Sequence, residues 1–383
     1  MNFEFSTATR IVFGCGSIRT AADFINANAQ SLFIVTGKNP SRFEPFFKQI
    51  NPTLKTTFYT ISGEPTIELV ETGVSIAREN GCNMVVAIGG GSVIDAAKAI
   101  SALIPNRGKL LDYLEVIGAG KPLEKPAIPL VAIPTTAGTG AEVTKNAVIT
   151  STDYNVKASL RHPFLYPKLT VVDPELTLSV PPEITAATGL DALTQLIEPF
   201  VSIRSNPLTD ALCAEGLKRV ARSLRKAFDN GGDLIARTDM ALASLFSGMA
   251  LANAGLGAVH GFAAPIGGSF SAPHGAVCAA LLAPVMTVNI KALRSRLPDS
   301  PVLDKFRVIA QILTGNHNAT PEDAIPWLMN TCKHLHIKKL SELGIRKSDF
   351  LSIIEKAKKA SSMKGNPIQL TDPELEEILL LAY

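Results

Sequence analysis

The sequence predicts an α/β domain with a mostly parallel, doubly wound sheet, followed by an all-helical domain. Two observations carry this. Strand and helix patterns alternate through residues 1–180, and long Ala- and Leu-rich segments without strand pattern fill residues 181–383. The overall composition agrees: 383 residues suit two domains, and with 46% hydrophobic against 19% charged residues the chain is no disordered tract. Lys and Arg total 37 against 34 Asp and Glu, too even a balance for a nucleic-acid binder.

The elements follow in order. Ser31–Thr36 is a short apolar strand, followed by a loop with Pro40 and a helix near Phe43–Ile50. Thr56–Ile61 reads as a strand, and Thr66–Asn80 as a helix through Leu69, Val70, Val74 and Ile76, stopped by Gly81. Met84–Ile88 is a buried strand leading to a helix over Ile94–Leu103. Leu130–Ile133, Ala147–Thr150 and Leu169–Val172 add strands. After Pro181-Pro182, helical segments are expected over Pro182–Ser202, Pro207–Asn230, Asp239–Val259, Gly275–Ile290, Pro321–His334 and Pro373–Leu381.

No Asp, Glu, Lys or Arg occurs from Met240 to Ile290. The run is rich in Ala, Gly and Ser, is interrupted by Pro265 and Pro273, and lacks flanking aromatic or basic belts. Buried core helices are expected there, not a membrane span. Five widely spaced cysteines without a CxxC argue against a disulfide framework or zinc ribbon, and residues 1–20 carry no apolar signal segment; both point to the cytoplasm. Lys218, Arg219, Arg222, Arg225 and Lys226 recur at helical spacing and read as a solvated face. His162, His317, His334 and His336 lie in polar surroundings and are expected at the surface.

Two turns carry chemistry. Gly89-Gly90-Gly91-Ser92, with Asp95 and Lys98 downstream, follows a strand and opens a helix. Backbone bare of side chains lets N–H groups approach an anion, the helix adds its positive end, and Ser92 adds a hydroxyl: the chemistry of a pyrophosphate cradle. Pro134–Glu142, with Thr135, Thr136, Thr139, Gly138 and Gly140, follows another strand and suits nucleotide contacts. In the helical half, Asp191 and Gln195 share one helix face, and His260 and His274 are the ionisable groups of the uncharged run apart from Cys278. One carboxylate and two imidazoles suffice for a catalytic divalent metal with open positions, although spacing alone does not bring them together. Cys278 lies near His274, but no nucleophile role follows from that proximity.

With these motifs in order, the chain resembles the group III, iron-containing alcohol dehydrogenases, the superfamily that includes glycerol dehydrogenase, maleylacetate reductase and dehydroquinate synthase. The resemblance runs through Val12-Phe13-Gly14, Gly63–Thr66, Gly89–Lys98, Pro134–Glu142, Val172–Thr177, Thr188–Leu193, His260–Gly275 and Gly365-Asn-Pro367. It implies a Rossmann-like N-terminal domain, a helical C-terminal domain, cofactor and metal in the cleft between them, and a homodimer. Carried over by position, Gly89, Gly90, Gly91 and Ser92 match the pyrophosphate loop. Asp95, Lys98, Thr135, Thr136, Thr139 and Lys157 match other NAD or NADP contacts. Asp191, His260 and His274 match three of the four ligands of a catalytic Fe²⁺ or Zn²⁺, and Gln195 stands where the fourth is normally His.

The implied activity is NAD(P)-dependent interconversion of a small alcohol and its aldehyde or ketone, with the metal polarising the substrate oxygen. A metal-independent reductase resembling maleylacetate reductase, and a cofactor-binding protein without turnover, stay open as alternatives. Two further departures bear on function. Ala264 replaces a second His proposed as a proton carrier, leaving water or the cofactor ribose for that role. Gly37-Lys38 replaces the Asp that follows the Leu32–Thr36 strand and binds the ribose 2′-hydroxyl, which favours acceptance of NADP.

Overall fold

The computed structural model describes residues 2–154, 156–270 and 272–383. The chain divides into two compact units. One comprises Thr7–Thr136 and Gly140–Leu178. The other comprises Ser179–Tyr383, the segment ending at Ser6 and the tripeptide Ala137–Thr139. The tripeptide belongs there for a steric reason: a Cβ on Gly138 would sit 2.6 Å from Thr188 Cβ.

In the first unit, strands β1 (Ile11–Phe13), β2 (Ser31–Thr36), β3 (Lys55–Thr60), β4 (Met84–Gly89) and β5 (Leu130–Pro134) build a parallel sheet. A separate antiparallel hairpin holds β6 (Asn146–Ser151) and β7 (Val156–Arg161), and β8 (Leu169–Val172) returns to the main sheet. Its order is β1-β8-β5-β4-β2-β3. Side chains alternate across it. Phe33, Val35, Val85, Ala87, Leu130 and Ala132 enter one core, with α3 (Ile67–Glu79) and α4 (Gly91–Leu103) after α1 (Ile18–Asn28) and the single turn α2 (Glu44–Phe47). Leu32, Ile34, Met84, Val86, Ile88, Val131 and Ile133 enter the other, against α1 and α2. Both faces are therefore covered, which is why these strands read as continuous apolar runs.

The sequence patterns differ from the structure at identifiable places. Glu44–Phe47 forms only one α-turn after a 3₁₀ turn over Pro40–Phe43 where a longer helix is expected. Neither β1 nor α1 is read as an element from the sequence pattern alone. β7 is missed because Lys157, Ser159 and Arg161 dilute its apolar signal, although Ala158 and Leu160 supply the buried half of a period-two pattern.

The second unit, after the one-turn α5 (Leu110–Tyr113) of the first, holds α6 (Pro182–Val201), α7 (Pro207–Asp229), α8 (Leu234–Ala254), α9 (Ala258–Ser269) and α10 (His274–Arg296). α11 (Val302–Thr314), α12 (Ala324–His334), α13 (Phe350–Lys359) and α14 (Asp372–Ala382) complete it. The single segment expected over Asp239–Val259 splits, because Gly255 at φ +72° turns the chain between α8 and α9. Pro265 is accommodated inside α9. α8 and α10 are long and apolar enough to cross a membrane, yet most of each apolar window is buried in this unit. They are core helices: α8 packs on α6 and α7, and α10 on α6 and α9.

The basic stripe of α7 does more than face solvent. Arg219 and Arg222 both bind Asp239 of α8, at 2.8 and 2.6 Å, and Ser223 adds a bond to the same carboxylate. Arg225 donates to Thr331 Oγ1 and lies over the Trp327 ring. Asp239 needs these cations, because a carboxylate this buried is costly unpaired.

Candidate active site

The strand order places one half of the chemistry. From β2 the chain goes outward to β3, and from β4 it goes the other way to β5, so its direction reverses between the carboxyl ends of β2 and β4. Open α/β sheets bind ligands at such a switch point. Gly37 and Lys38 follow β2 here, Gly89 ends β4 and Gly90–Ser92 follow it, and Thr135 and Thr136 follow β5. Thr36 pairs with Ile88 and Gly89 with Pro134, which brings the three strand ends level.

Gly90 is the N-cap of α4 and brings no side-chain cap, so the first N–H groups of the helix face outward unclaimed by a cap. Side chains could not be added freely there. A Cβ on Gly89 would lie 2.6–2.9 Å from the Val93 side chain, and one on Gly90 would lie 3.3 Å from Thr136 Oγ1. Gly37 is different: a Cβ there meets nothing within 4 Å, so packing does not demand glycine. Lys38 is exposed beside it.

Asp95 and Lys98 sit deeper than the cradle. Lys98 is fully buried; its Nζ donates to Thr144 Oγ1 at 2.7 Å and to the Asn146 carbonyl at 2.9 Å, and lies 3.8 Å from Asp95 Oδ1. Asp95 Oδ2 accepts from the Val148 N–H. The pair thus ties α4 to β6 and to the turn before it. Burial moves this group strongly: it pulls Lys98 down to about 8 and pushes Asp95 up to about 6 and the neighbouring Glu142 up to about 7. Lys157, on β7, pairs with Glu64 at 3.1 Å.

In the helical unit, Asp191 projects from the middle of α6, His260 from the first turn of α9 and His274 opens α10. They converge. Asp191 Oδ1 lies 3.5 Å from His260 Nε2 and 3.7 Å from His274 Nε2. That oxygen is buried and accepts no hydrogen bond among the described residues. Cys278, one turn after His274, joins them: Sγ is 3.6 Å from His274 Nε2 and 3.9 Å from His260 Nε2. The ligand atoms of all four residues lie within 4.8 Å of one another.

Each donor is held from behind. Glu198, two turns after Asp191 on α6, meets His260 Nδ1 at 2.6 Å and accepts the Val259 N–H with its other oxygen. A proton held on Nδ1 by this carboxylate leaves Nε2 as the free donor, the usual support of a metal-binding imidazole. Asn366, from the Gly-Asn-Pro motif, accepts the Ala258 N–H, so α9 begins on side chains supplied from α6 and from residue 366. The α10 start is fixed by close approach: a Cβ on Gly275 would lie 2.5 Å from the Ala187 carbonyl oxygen. Gln195 donates Nε2 to Asp191 Oδ2 at 3.0 Å, and its Oε1 lies 3.2 Å from Ser247 Oγ.

The protonation of the cluster is mutual. Burial alone would raise Asp191, but the adjoining His260 and the charge of His274 bring it below the usual carboxylate range. Burial would depress His260, yet Cys278 and Glu198 lift it well above the ordinary imidazole value. Cys278 raises His274, and the two imidazoles outweigh burial to lower the Cys278 thiol. Such anion-rich convergence, with a buried lone pair left over, fits a divalent cation. His274 is one-third exposed while Asp191, His260 and Cys278 are buried, so the cluster opens on the His274 side. Ala264, one turn after His260, brings no proton carrier.

The sequence brought forward Asp191, Gln195, His260 and His274. It does not bring forward Glu198, gives Asn366 no role beyond its place in a motif of the resemblance, and does not link Cys278 to the donors. A buried Glu two turns from Asp191 on an otherwise apolar helix, and a Cys one turn from His274, were the available signals.

Residues 8–174 match the iron-containing alcohol dehydrogenase family. Residues 185–383 match the C-terminal region of the Fe-containing alcohol dehydrogenase family. Alcohol dehydrogenase 4 of Saccharomyces cerevisiae is 35% identical over 380 residues, covering 97% of this chain and 96% of its own. The crystal structure of a 1,3-propanediol oxidoreductase superposes with TM-score 0.92 at 30% identity, covering both chains fully. Sulfoacetaldehyde reductase from Bifidobacterium kashiwanohense, solved with NAD⁺, gives TM-score 0.88 at 27% identity, covering 100% of this chain and 99% of its own.

Proposed function

We infer the reaction from a premise set by those matches: this chain belongs to the iron-containing alcohol dehydrogenase family. It is an oxidoreductase that interconverts an alcohol and its carbonyl compound with a nicotinamide cofactor. The observation that carries the assignment of the site is Asp191 Oδ1, buried, without a hydrogen bond among the described residues, and facing two imidazole Nε2 atoms.

Asp191, His260 and His274 are the residues assigned to hold a divalent metal, Fe²⁺ or Zn²⁺, with Gln195 beside Asp191. When bound, the metal supplies Lewis acidity toward the substrate oxygen and the nicotinamide supplies or accepts the hydride. The protein's own part is positioning. Glu198 keeps a proton on His260 Nδ1, and Gln195 fixes the Asp191 carboxylate through its second oxygen. Burial excludes water from three of the clustered side chains, and the exposed edge of His274 leaves one approach for a small substrate.

At the sheet, the N–H groups opening α4 and the Ser92 hydroxyl are assigned to the cofactor pyrophosphate, and Thr135, Thr136, Thr139 and Lys157 to further contacts. Asp95 and Lys98 serve that loop through its scaffold. Gly37 and Lys38 remove a negative charge and add a positive one where a ribose 2′-phosphate would lie, so NADP is accepted alongside NAD. A cytoplasmic homodimer completes the proposal; the five cysteines are unpaired, as a reducing compartment keeps them.

The test is NADH and NADPH oxidation by purified protein against short aldehydes, before and after chelation. Loss of turnover on chelation, restored by Fe²⁺ or Zn²⁺, is the expected result. Chelator-insensitive turnover would overturn the metal assignment, and no turnover on any carbonyl compound would overturn the reaction.

A further inference from the structure

We propose that Cys278, and not Gln195, supplies the fourth protein ligand of the metal, giving an Asp, His, His, Cys donor set that selects Zn²⁺. The inference rests on the metal assignment above and concerns which atoms face the ion. Gln195 is turned away from that task by chemistry. A carboxylate can only accept, so the amide edge that meets Asp191 Oδ2 at 3.0 Å must be the NH₂ group. The carbonyl edge then faces Ser247 Oγ, 3.2 Å away. Ligation through Oε1 would break both contacts. As it stands, Gln195 is a positioning residue that leaves Asp191 Oδ1 as the oxygen for the ion.

The spacing of the other four donors supports the assignment. A tetrahedral centre with metal–N and metal–O bonds of about 2.0–2.1 Å and a metal–S bond of about 2.3 Å sets N and O donors about 3.4 Å apart and S and N donors about 3.6 Å apart. Here the oxygen-to-nitrogen separations are 3.5 and 3.7 Å, and the sulfur-to-nitrogen separations 3.6 and 3.9 Å. Cys278 is fully buried on α10, one turn from His274, so its sulfur is held on the same helix face.

Charge and softness point the same way. On binding, the thiol proton leaves to water as the metal–sulfur bond forms, and the two anions Asp191 and Cys278 neutralise the 2+ charge. A ligand set with Gln195 in place of Cys278 would leave a net positive charge in a buried site. Thiolate with imidazole and a single carboxylate is a zinc-type set, whereas harder oxygen donors suit Mg²⁺ or Mn²⁺. The partly exposed His274 side would leave room for the substrate oxygen beside a metal held by these residues.

Affinity alone does not separate the two ligands, because losing an outer partner such as Gln195 also weakens metal binding about 10–100-fold. The sulfur signature does. The full-length protein loaded with one equivalent of zinc is expected to show one sulfur neighbour at about 2.3 Å by X-ray absorption at the zinc edge. Loaded with Co²⁺, it is expected to show a thiolate-to-cobalt charge-transfer band that Gln195→Ala keeps and Cys278→Ser loses. A bound ion with only nitrogen and oxygen neighbours would overturn the proposal and leave the metal assignment standing. Failure to take up any metal would overturn both. The zinc measurement needs no variant, so it decides the matter even if Cys278→Ser does not fold.

Discussion

The glycine cradle and the donor cluster are built by opposite means. The cradle uses backbone supplied by one short stretch, Gly89–Ser92, between a strand and the helix it starts. The cluster uses side chains from three helices, α6, α9 and α10, each held from behind by another residue. A backbone site depends on what is missing, namely Cβ atoms and caps. A side-chain site depends on distant partners, and it fails when any one of them moves. The two should therefore respond differently to substitution.

The sharpest break is Asp191→Asn, which keeps the shape and removes the charge. Losing this anion should reduce kcat on the order of 10³-fold, about 4 kcal/mol of transition-state stabilisation, and cut the metal bound per chain. Retained cofactor binding by fluorescence titration would confirm that the cradle is independent. Unchanged metal content would contradict the cluster's role.

A different buried group tests whether burial alone marks a functional site. Glu142 is raised by burial from 4.5 to about 7, so the folded state holds its proton more tightly than the unfolded chain. Its contribution is fully present below about pH 4.5 and is lost as pH rises through about 7. Glu142→Gln should remove that loss, worth about 3 kcal/mol at 1.36 kcal/mol per pH unit. Thermal unfolding followed from about pH 5 to about pH 8 should show a shallower decline in the variant. A parallel decline in both proteins would show that the carboxyl does not titrate there.

Glu198→Gln probes a support instead of a donor. The amide oxygen still accepts the Val259 N–H, but the NH₂ group then faces His260 Nδ1 and cannot accept its proton. Metal affinity should fall about 10–100-fold in a chelator competition, with melting little changed. The smallest expected effect is Gly37→Asp. No atom lies within 4 Å of the new Cβ, so stability should hold, while the added charge should shift kcat/KM from NADPH toward NADH about tenfold. Equal ratios in both proteins would show that residue 37 does not face the ribose.

Legibility followed the same division. The cradle, the turn after β5 and the long α6, α7 and α10 segments could be read in the sequence, because strands, caps and helical periods are local. The alternating Lys157, Ser159 and Arg161 hide the hairpin partner β7, and the stripe on α7 reads as solvated although two of its five residues neutralise Asp239. The family resemblance implies a cofactor contact for Lys98. The structure spends its charge on Thr144, Asn146 and Asp95 inside the unit.

By itself, the sequence determined the alternation of strands and helices, the glycine-rich turn after β4, the apolar helices and which residue types were available as ligands. Only the tertiary structure decided that Asp191, His260, His274 and Cys278 meet, that Glu198 stands behind His260, and that the Gln195 amide turns its NH₂ toward Asp191. The reason is physical. Helix periodicity fixes which residues share a face, but not which faces pack together. An amide or imidazole is oriented by its partners, and those arrive from elsewhere in the chain.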